Sequence, residues 1–488
     1  MRDELSHRTP LTATAVEQAS SVGGRLHWSR SASVVFAGLL GLAASVARGA
    51  DGDAPIRLMT LNPAHFHAAL FQKEMLPGVA ERVEVFAPLG PDLIAHLNRV
   101  AQFNTRPQNP TRWQLEVHAG DHALERMLAD PPGNVVVVSG NNQGKIHHLR
   151  AIVNRRLHVL ADKPWILEPD ELPILAATLD QADANAVVAY DAMTQRFEIS
   201  CILPRALVND AGVFGTRVSG TADEPAVEME SVHYFLKEVA GAPLLRPAWY
   251  FDVRQQGEGL TDVGTHLADL VQWTLFPDQA IDHRKDVAVL RGSHWPTVIS
   301  QAQFQQVTGE KQFPACVAGA LREGRLECYA NNTVTYRLRD VFVRLTVRWD
   351  YAAAPGVKDS ELAIFRGSKS RIEVRQGREE GFVPQVYVVP NRPELEAEVE
   401  AALKRKLAAL QTTCPGVAVR ADAGRFHVTI PDALRVGHEA HFALLTRRFL
   451  EYVRDPSSLP AWEKPNMLAK YFVTTRGVEL ARQTTAKP

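Results

Sequence analysis

The sequence has little cysteine, no excess of either charge and, outside one short N-terminal run, no extended apolar stretch. Four cysteines in 488 residues, Cys201, Cys316, Cys328 and Cys414, lie far apart with no Cys-x-x-Cys pair and no Cys/His metal spacing. No metal site is assigned from them, and they either pair in an oxidising compartment or stay buried and reduced. With 54 basic against 55 acidic residues the net charge is -1, so no general field draws the chain to nucleic acid or to an anionic membrane. A small neutral ligand is the expected partner.

The one uncharged apolar run, Ala32 to Ala47, follows Arg25 and Arg30 and has the form of a secretory h-region. It is short for a stable membrane span. Small residues at Ser45 and Ala47, or at Ala47 and Gly49, suit signal peptidase, so cleavage near residues 47 to 50 and a periplasmic destination are expected. No cysteine follows to carry a lipid, and no twin-Arg pair precedes. An uncleaved anchor or a downstream start is the alternative to cleavage of residues 1–50.

What is present is material for two or three domains, 45% apolar and 22% charged. Ile56 to Leu61 reads as a strand, with a helix following through Phe66, Leu70 and Met75. Val83 to Phe86, the four-valine run Val135 to Val138, His158 to Leu160 and Ala186 to Ala189 repeat the strand signal. Asp92 to Val100, Asp121 to Leu128, Lys145 to Asn154 and Pro169 to Ala184 supply helices between them. Such alternation predicts a doubly wound, Rossmann-like parallel sheet over residues 51–190. From residue 191 to 488 period-two segments such as Thr333 to Leu338, Val341 to Trp349 and Arg371 to Arg375 predict an α+β domain with a large, mainly antiparallel open sheet. Glu394 to Leu410 and Gly437 to Val453 read as C-terminal helices.

The first β-to-α turn is where a dinucleotide fold places its glycines. Here it reads Asn62-Pro63-Ala64-His65-Phe66-His67, with no glycine, and the second strand ends in Ala87-Pro88 with no acid for a ribose. Lys163, in Asp162-Lys163-Pro164, falls at the carboxyl edge of the sheet, where open α/β folds bind ligands. Asp262, His266 and Asp269 recur at helical spacing in Gly259 to Asp269. They form either an Asp-His-Asp proton-transfer group, a cap with an ordinary helix histidine and a solvated carboxylate, or part of a metal site. Around Ser231 to Lys237 and Arg246 to Phe251 aromatics interleave with basic residues, a mixture that suits sugars and equally suits core. His233 and Lys237 are the substrate candidates there.

Asp162-Lys163-Pro164 resembles the Glu-Lys-Pro motif of the Gfo/Idh/MocA oxidoreductases. Gly259 to Asp269 resembles that family's G-x-x-x-D-x-x-x-H-x-x-D segment, in the same order. The likeness spans residues 55 to 375, with an extended C-terminal region like that of an exported subgroup. It implies NAD or NADP, with Lys163 on the reacting hydroxyl, His266 as general base and Asp262 positioning. Export, where little free cofactor is available to exchange, would require that cofactor to be tightly held. Asn62, Ala64, His65, Phe66, Asn141, Asn142, Asp162, Lys163 and Pro164 would line the cofactor, and Asp269 would join His233 and Lys237 at the substrate. The family's habit also implies a homo-oligomer. Asp162 stands for the usual Glu, and Lys145 for a usual His after the fourth strand. The resulting expectation is oxidation or reduction of a secondary hydroxyl or keto group on a sugar or glycoside. Redox-assisted glycoside cleavage and non-catalytic carbohydrate binding are its competitors.

Overall fold

A computed structural model describes residues 56–239 and 242–485. The leader reading therefore lies outside the described residues. Among those described, no helix is long and apolar enough to cross a membrane.

The first part of the chain alternates as the sequence predicts. It runs β1 (Leu58–Leu61), α1 (His67–Leu70), β2 (Arg82–Ala87), α2 (Pro91–Thr105), β3 (Gln114–Ala119), α3 (Ala123–Ala129), β4 (Val135–Val138), α4 (Lys145–Asn154), β5 (His158–Ala161), α5 (Leu172–Ala184) and β6 (Ala189–Asp191). The six strands are parallel in the order β3-β2-β1-β4-β5-β6, so strand order reverses between β1 and β4. All four valines of β4 are buried, as a strand covered on both faces requires.

Two local expectations are corrected, and one strand was not foreseen. α1 ends at Leu70 rather than continuing through Met75, because side chains take the carbonyls beyond it. The Trp113 indole N–H donates to Gln72 O (2.6 Å) and the Arg106 guanidinium to Lys73 O (2.6 Å). Ala186 is left-handed (φ 53°) and ends the turn after α5 rather than starting a strand, so β6 begins at Ala189. β3, unread in the sequence, is an edge strand with no buried residue and hence no hydrophobic signature.

The rest of the chain runs α6 (Ile199–Val208), β7 (Val227–Leu236), β8 (Glu238–Val239), β9 (Ala242–Pro243), α7 (Gly259–Asp262), α8 (Gly264–Leu275), β10 (Val287–Ile299), α9 (Gln301–Thr308), β11 (Leu321–Arg322) and β12 (Arg325–Leu338). It continues through β13 (Val341–Ala352), β14 (Ser360–Arg366), β15 (Ser370–Gln376), β16 (Gln385–Pro390), α10 (Glu396–Ala409), β17 (Ala418–Asp422), β18 (Arg425–Thr429), α11 (His438–Arg454) and α12 (Glu463–Thr485). Ten strands form one sheet in the order β10-β12-β13-β7-β14-β15-β16-β18-β17, with β11 beside β12. Only β13 and β7 pair parallel. On β13, Val341, Val343, Leu345, Val347 and Trp349 are buried and alternate with partly exposed residues, the period-two pattern of a sheet with one covered face.

Both C-terminal helices return to the parallel sheet. Phe442, Leu445 and Phe449 of α11 share a core with Leu58, Val135 and Val137, while Met467 and Tyr471 of α12 join Trp165 and Leu175 in another. The Trp165 backbone N–H donates to the Tyr471 hydroxyl, which donates to Asp191 Oδ2 (2.8 Å).

Candidate active site

The residues marked by the sequence follow three adjacent strand ends at the switch point. Asn62 to Phe66 follow β1, Asn141 and Asn142 follow β4, and Asp162, Lys163 and Pro164 follow β5, with a cis Lys163–Pro164 bond. Lys163 Nζ donates to Asp262 Oδ1 at the end of α7, and the two side chains are only 10% and 8% exposed. Burial works against both charges. The ion pair outweighs it, holding the Lys163 ammonium above its ordinary value and the Asp262 carboxyl below its own.

His266 is one turn on, in α8, beyond the break at Val263. Burial, and then the Lys163 charge, lower it well below the ordinary imidazole value, so it is neutral at neutral pH. Its Nδ1 is buried with no partner among the described residues. The expected Asp-His-Asp group therefore does not form, because each carboxylate is claimed by a lysine or arginine. Asp262 faces Lys163. Asp269, 1% exposed, receives Arg196 Nη2 and Nε at 2.6 Å each, with Lys470 Nζ at 3.5 Å. Asp269 is thus a structural anchor between α8, the Arg196 turn and α12, not a substrate contact. Asn142 is also withdrawn, since its amide donates to Gln256 O (2.8 Å) and its oxygen accepts from Lys145 Nζ (2.5 Å).

Lys145 is 1% exposed and also donates to Asp162 O (2.9 Å). Burial lowers its ammonium to about 8. It ties the ends of β4 and β5 together beneath the Lys163 pair.

On the second sheet, His233 Nδ1 lies 2.9 Å from Asp359 Oδ2, and Lys237 donates to the same oxygen. His233 stacks on Trp349 with ring centroids 4.8 Å apart, and the Arg246 guanidinium lies over both Tyr250 and Trp349. Asp262, Tyr250 and Trp349 line one small cavity. The aromatic partner Trp349 was missed because it closes a strand whose alternation explains it as core.

Beyond β1, β2 and β4 opens a cleft of about 360 Å³ lined by Asn62, Ala64, Pro88, Gly140 and Asn141. It joins the sheet where a dinucleotide fold holds its cofactor. Asn62 supplies the tight turn with φ 47°, and Gly140 is required opposite it, since a Cβ there would meet Asn62 O at 2.5 Å. Asn62 Oδ1 is buried with no hydrogen-bond partner among the described residues, an acceptor that a ligand hydroxyl could satisfy. The Ala64 and His65 amides instead donate inward, to Asn62 O and Ser139 O. The residues fit a nicotinamide dinucleotide along the cleft, with the diphosphate held otherwise than by a glycine turn.

The histidines of that turn were read only as part of a nucleotide loop. His67 Nδ1 lies 2.8 Å, and His65 Nδ1 3.5 Å, from Asp162 Oδ2. His438 of α11 lies beyond, its Nε2 3.3 Å from His67 Nε2. Burial takes His67 down to about 3. His-x-His was the available signal. Nothing in the spacing pointed to His438, 371 residues away.

A parallel switch-point sheet joined to an open, mainly antiparallel sheet, with a lysine at the carboxyl edge facing a helix carboxylate, defines a Gfo/Idh/MocA-type oxidoreductase. Residues 203–482 match the family described as "Putative oxidoreductase C terminal domain", and the chain belongs to it. It is similar to a crystal structure described as a "putative oxidoreductase" of Parabacteroides merdae, with 40% identity over 88% of this chain and 98% of that one and a TM-score of 0.86. Two remoter structures share the fold. One is GenD2 from gentamicin A biosynthesis in complex with NAD, with 15% identity, 91% and 98% coverage and TM-score 0.52. The other is a variant 3-ketoreductase of Actinomadura kijaniata with TDP-benzene and NADP, with 14% identity, 88% and 98% coverage and TM-score 0.51. No curated protein shows a significant match by sequence.

Proposed function

We propose that this oxidoreductase interconverts a secondary hydroxyl and a keto group on a sugar or glycoside, using a tightly held NAD or NADP, outside the cytoplasm. The observation that carries the reading is the Lys163–Asp262 pair at the switch-point edge, with a neutral buried His266 one turn away. The sugar class rests on the family resemblance, in keeping with the GenD2 and 3-ketoreductase structures that share the fold. The Trp349 and Tyr250 rings are buried as core with Arg246 over both. The place is supported by the Ala32 to Ala47 run.

Nicotinamide, when bound, supplies hydride acceptance or donation at C4. Asn62, Ala64, Gly140 and Asn141 would hold its dinucleotide, with Lys163 and Pro164 at the reacting end. An ammonium has three donors, and Asp262 takes one. The others are available to the substrate oxygen, where the fixed charge stabilises a developing alkoxide. His266, neutral at working pH, accepts the hydroxyl proton. Asp262 keeps Lys163 charged and aimed.

The test is to denature protein purified from its native compartment and analyse the released small molecules by absorbance and mass spectrometry. A stoichiometric nicotinamide dinucleotide, with a keto sugar formed on turnover, is expected. Its absence, with no binding of added NAD or NADP, would leave a binding protein on an enzyme fold.

A further inference from the structure

Four acidic side chains are buried around the carboxyl end of the parallel sheet, and three of them face a full positive charge. Asp262 pairs with Lys163, Asp191 with Lys470, and Asp269 with Arg196 and Lys470. Asp162, 4% exposed, differs in making no direct salt bridge to a lysine or arginine among the described residues, although the Lys145 and Lys163 charges act on it at longer range. Among the described residues its ion pairs are only to the imidazoles of His65 and His67, and Ser139 Oγ donates to the same Oδ2 at 3.1 Å. Lys145 touches its backbone carbonyl instead. Buried carboxylates are paired with cations or coordinate metals.

One donor atom from each of His65, His67 and Asp162 lies within 4.8 Å of the others. The two separations to Asp162 Oδ2, 2.8 and 3.5 Å, bracket what a common ion would impose. Ligands about 2.0–2.2 Å from an ion stand roughly 3 Å apart at right angles and about 3.4 Å apart at tetrahedral angles. His67 also has an outer partner that can fix its tautomer. If Nδ1 faces the ion, Nε2 carries the proton, and His438 Nε2 stands 3.3 Å away to accept it. His65 is the least buried of the three and lines a cleft of about 650 Å³ with Phe66, Arg99 and Trp249, so the site opens to ligand on that side.

We propose that His65, His67 and Asp162 bind one divalent transition-metal ion of the zinc or iron(II) class, with open positions toward the cleft. Two histidines and one carboxylate are the donor set of open, ligand-accepting sites rather than closed structural ones. The ion occupies the turn from which the glycine fingerprint is missing and supplies positive charge where that turn has none to spare. It would accept an oxygen donor such as water or a substrate oxygen. This inference does not rest on the redox reading, and stands or falls separately.

The experiment uses the full chain, untagged, stripped with chelator and titrated with Zn²⁺ or Co²⁺. Expected are about one equivalent of tightly held metal by elemental analysis, a visible d–d absorption for Co²⁺, and a rise in Tm on adding Zn²⁺. His65→Ala, whose side chain is partly exposed, and His67→Ala should abolish all three while keeping a native circular dichroism spectrum. His438→Phe should weaken Zn²⁺ by about 10–100-fold. Failure of the wild-type chain to take up either ion, or full stoichiometry in a folded His65→Ala variant, would overturn the site. Because the metal readouts need no sugar or nucleotide, a failed dehydrogenase assay leaves them intact.

Discussion

Lys163 and Asp262 sit 99 residues apart in sequence and form one unit, so each loses its meaning without the other. Lys163→Met should lower kcat/KM by about 10²–10⁴, the scale of losing one preorganised charge at a developing oxyanion. It should also destabilise by about 3–5 kcal/mol, because a buried carboxylate is left unpaired. The Lys163→Met, Asp262→Leu double variant should recover most of the stability and none of the turnover. Denaturant midpoints of the wild type and the two variants check this, and equal destabilisation of single and double variants would refute the coupling. These two residues were legible because both lie in motifs whose spacing is local. Asp269 was misread for the opposite reason. Its helical offset from His266 is genuine, but Arg196 and Lys470 come from distant parts of the chain and claim it first.

His96, at the wall of the cleft that His65 lines, allows a stability argument that involves no ligand. It is 3% exposed, neither ring nitrogen has a partner among the described residues, and burial, then the nearby Arg99, lower it to about 4. The unfolded chain protonates this imidazole near its ordinary value of 6.5, and the folded chain does not until about 4. Stability from keeping it neutral is therefore full above pH 6.5 and is lost as pH falls toward 4, roughly 3 kcal/mol in all. His96→Phe should flatten that part of the stability profile, measured by urea unfolding at pH 7, 6 and 5. An unchanged slope would place the acid sensitivity elsewhere.

At the scale of elements, the strongest constraint is where helix and sheet touch through backbone. A Cβ on Gly292 of β10 would meet Gly477 O of α12 at 2.2 Å, and neither backbone has a flexible side chain to move aside. Gly292→Ala should cost about 1–3 kcal/mol as α12 is pushed off the sheet, with a matching drop in Tm. A neutral effect would mean that the helix end slides freely. Elements were legible to the degree that burial was one-sided or complete. β4 and β13 announce themselves by a valine run and by strict alternation. β3 carries charged and apolar residues on a strand with nothing buried, and α1 stops where tertiary donors capture its next carbonyls, a competition that no local pattern contains.

For the whole molecule, the alternation of strands and helices was enough to predict both sheets, but not what finishes them. An amphipathic stripe on residues 437–453 says that one face of a helix is covered and is silent about the partner. In the structure that partner is the parallel sheet, some 300 residues earlier in the chain. Phe442, Leu445, Phe449, Leu450 and Tyr452 are all buried against it. At about 2 kcal/mol each these five side chains supply roughly 10 kcal/mol, as much as the net stability of an ordinary domain. Residues 51–190 alone should therefore fail to unfold cooperatively, and a chain ending before His438 should aggregate and bind a hydrophobic dye. The same truncation removes His438 beside His67 and Lys470 beside Asp269, so the site loses its outer support with its core. Cooperative, dye-free unfolding of residues 51–190 would mean that the sheet is complete without its C-terminal cover. In that case α11 and α12 would serve the site alone.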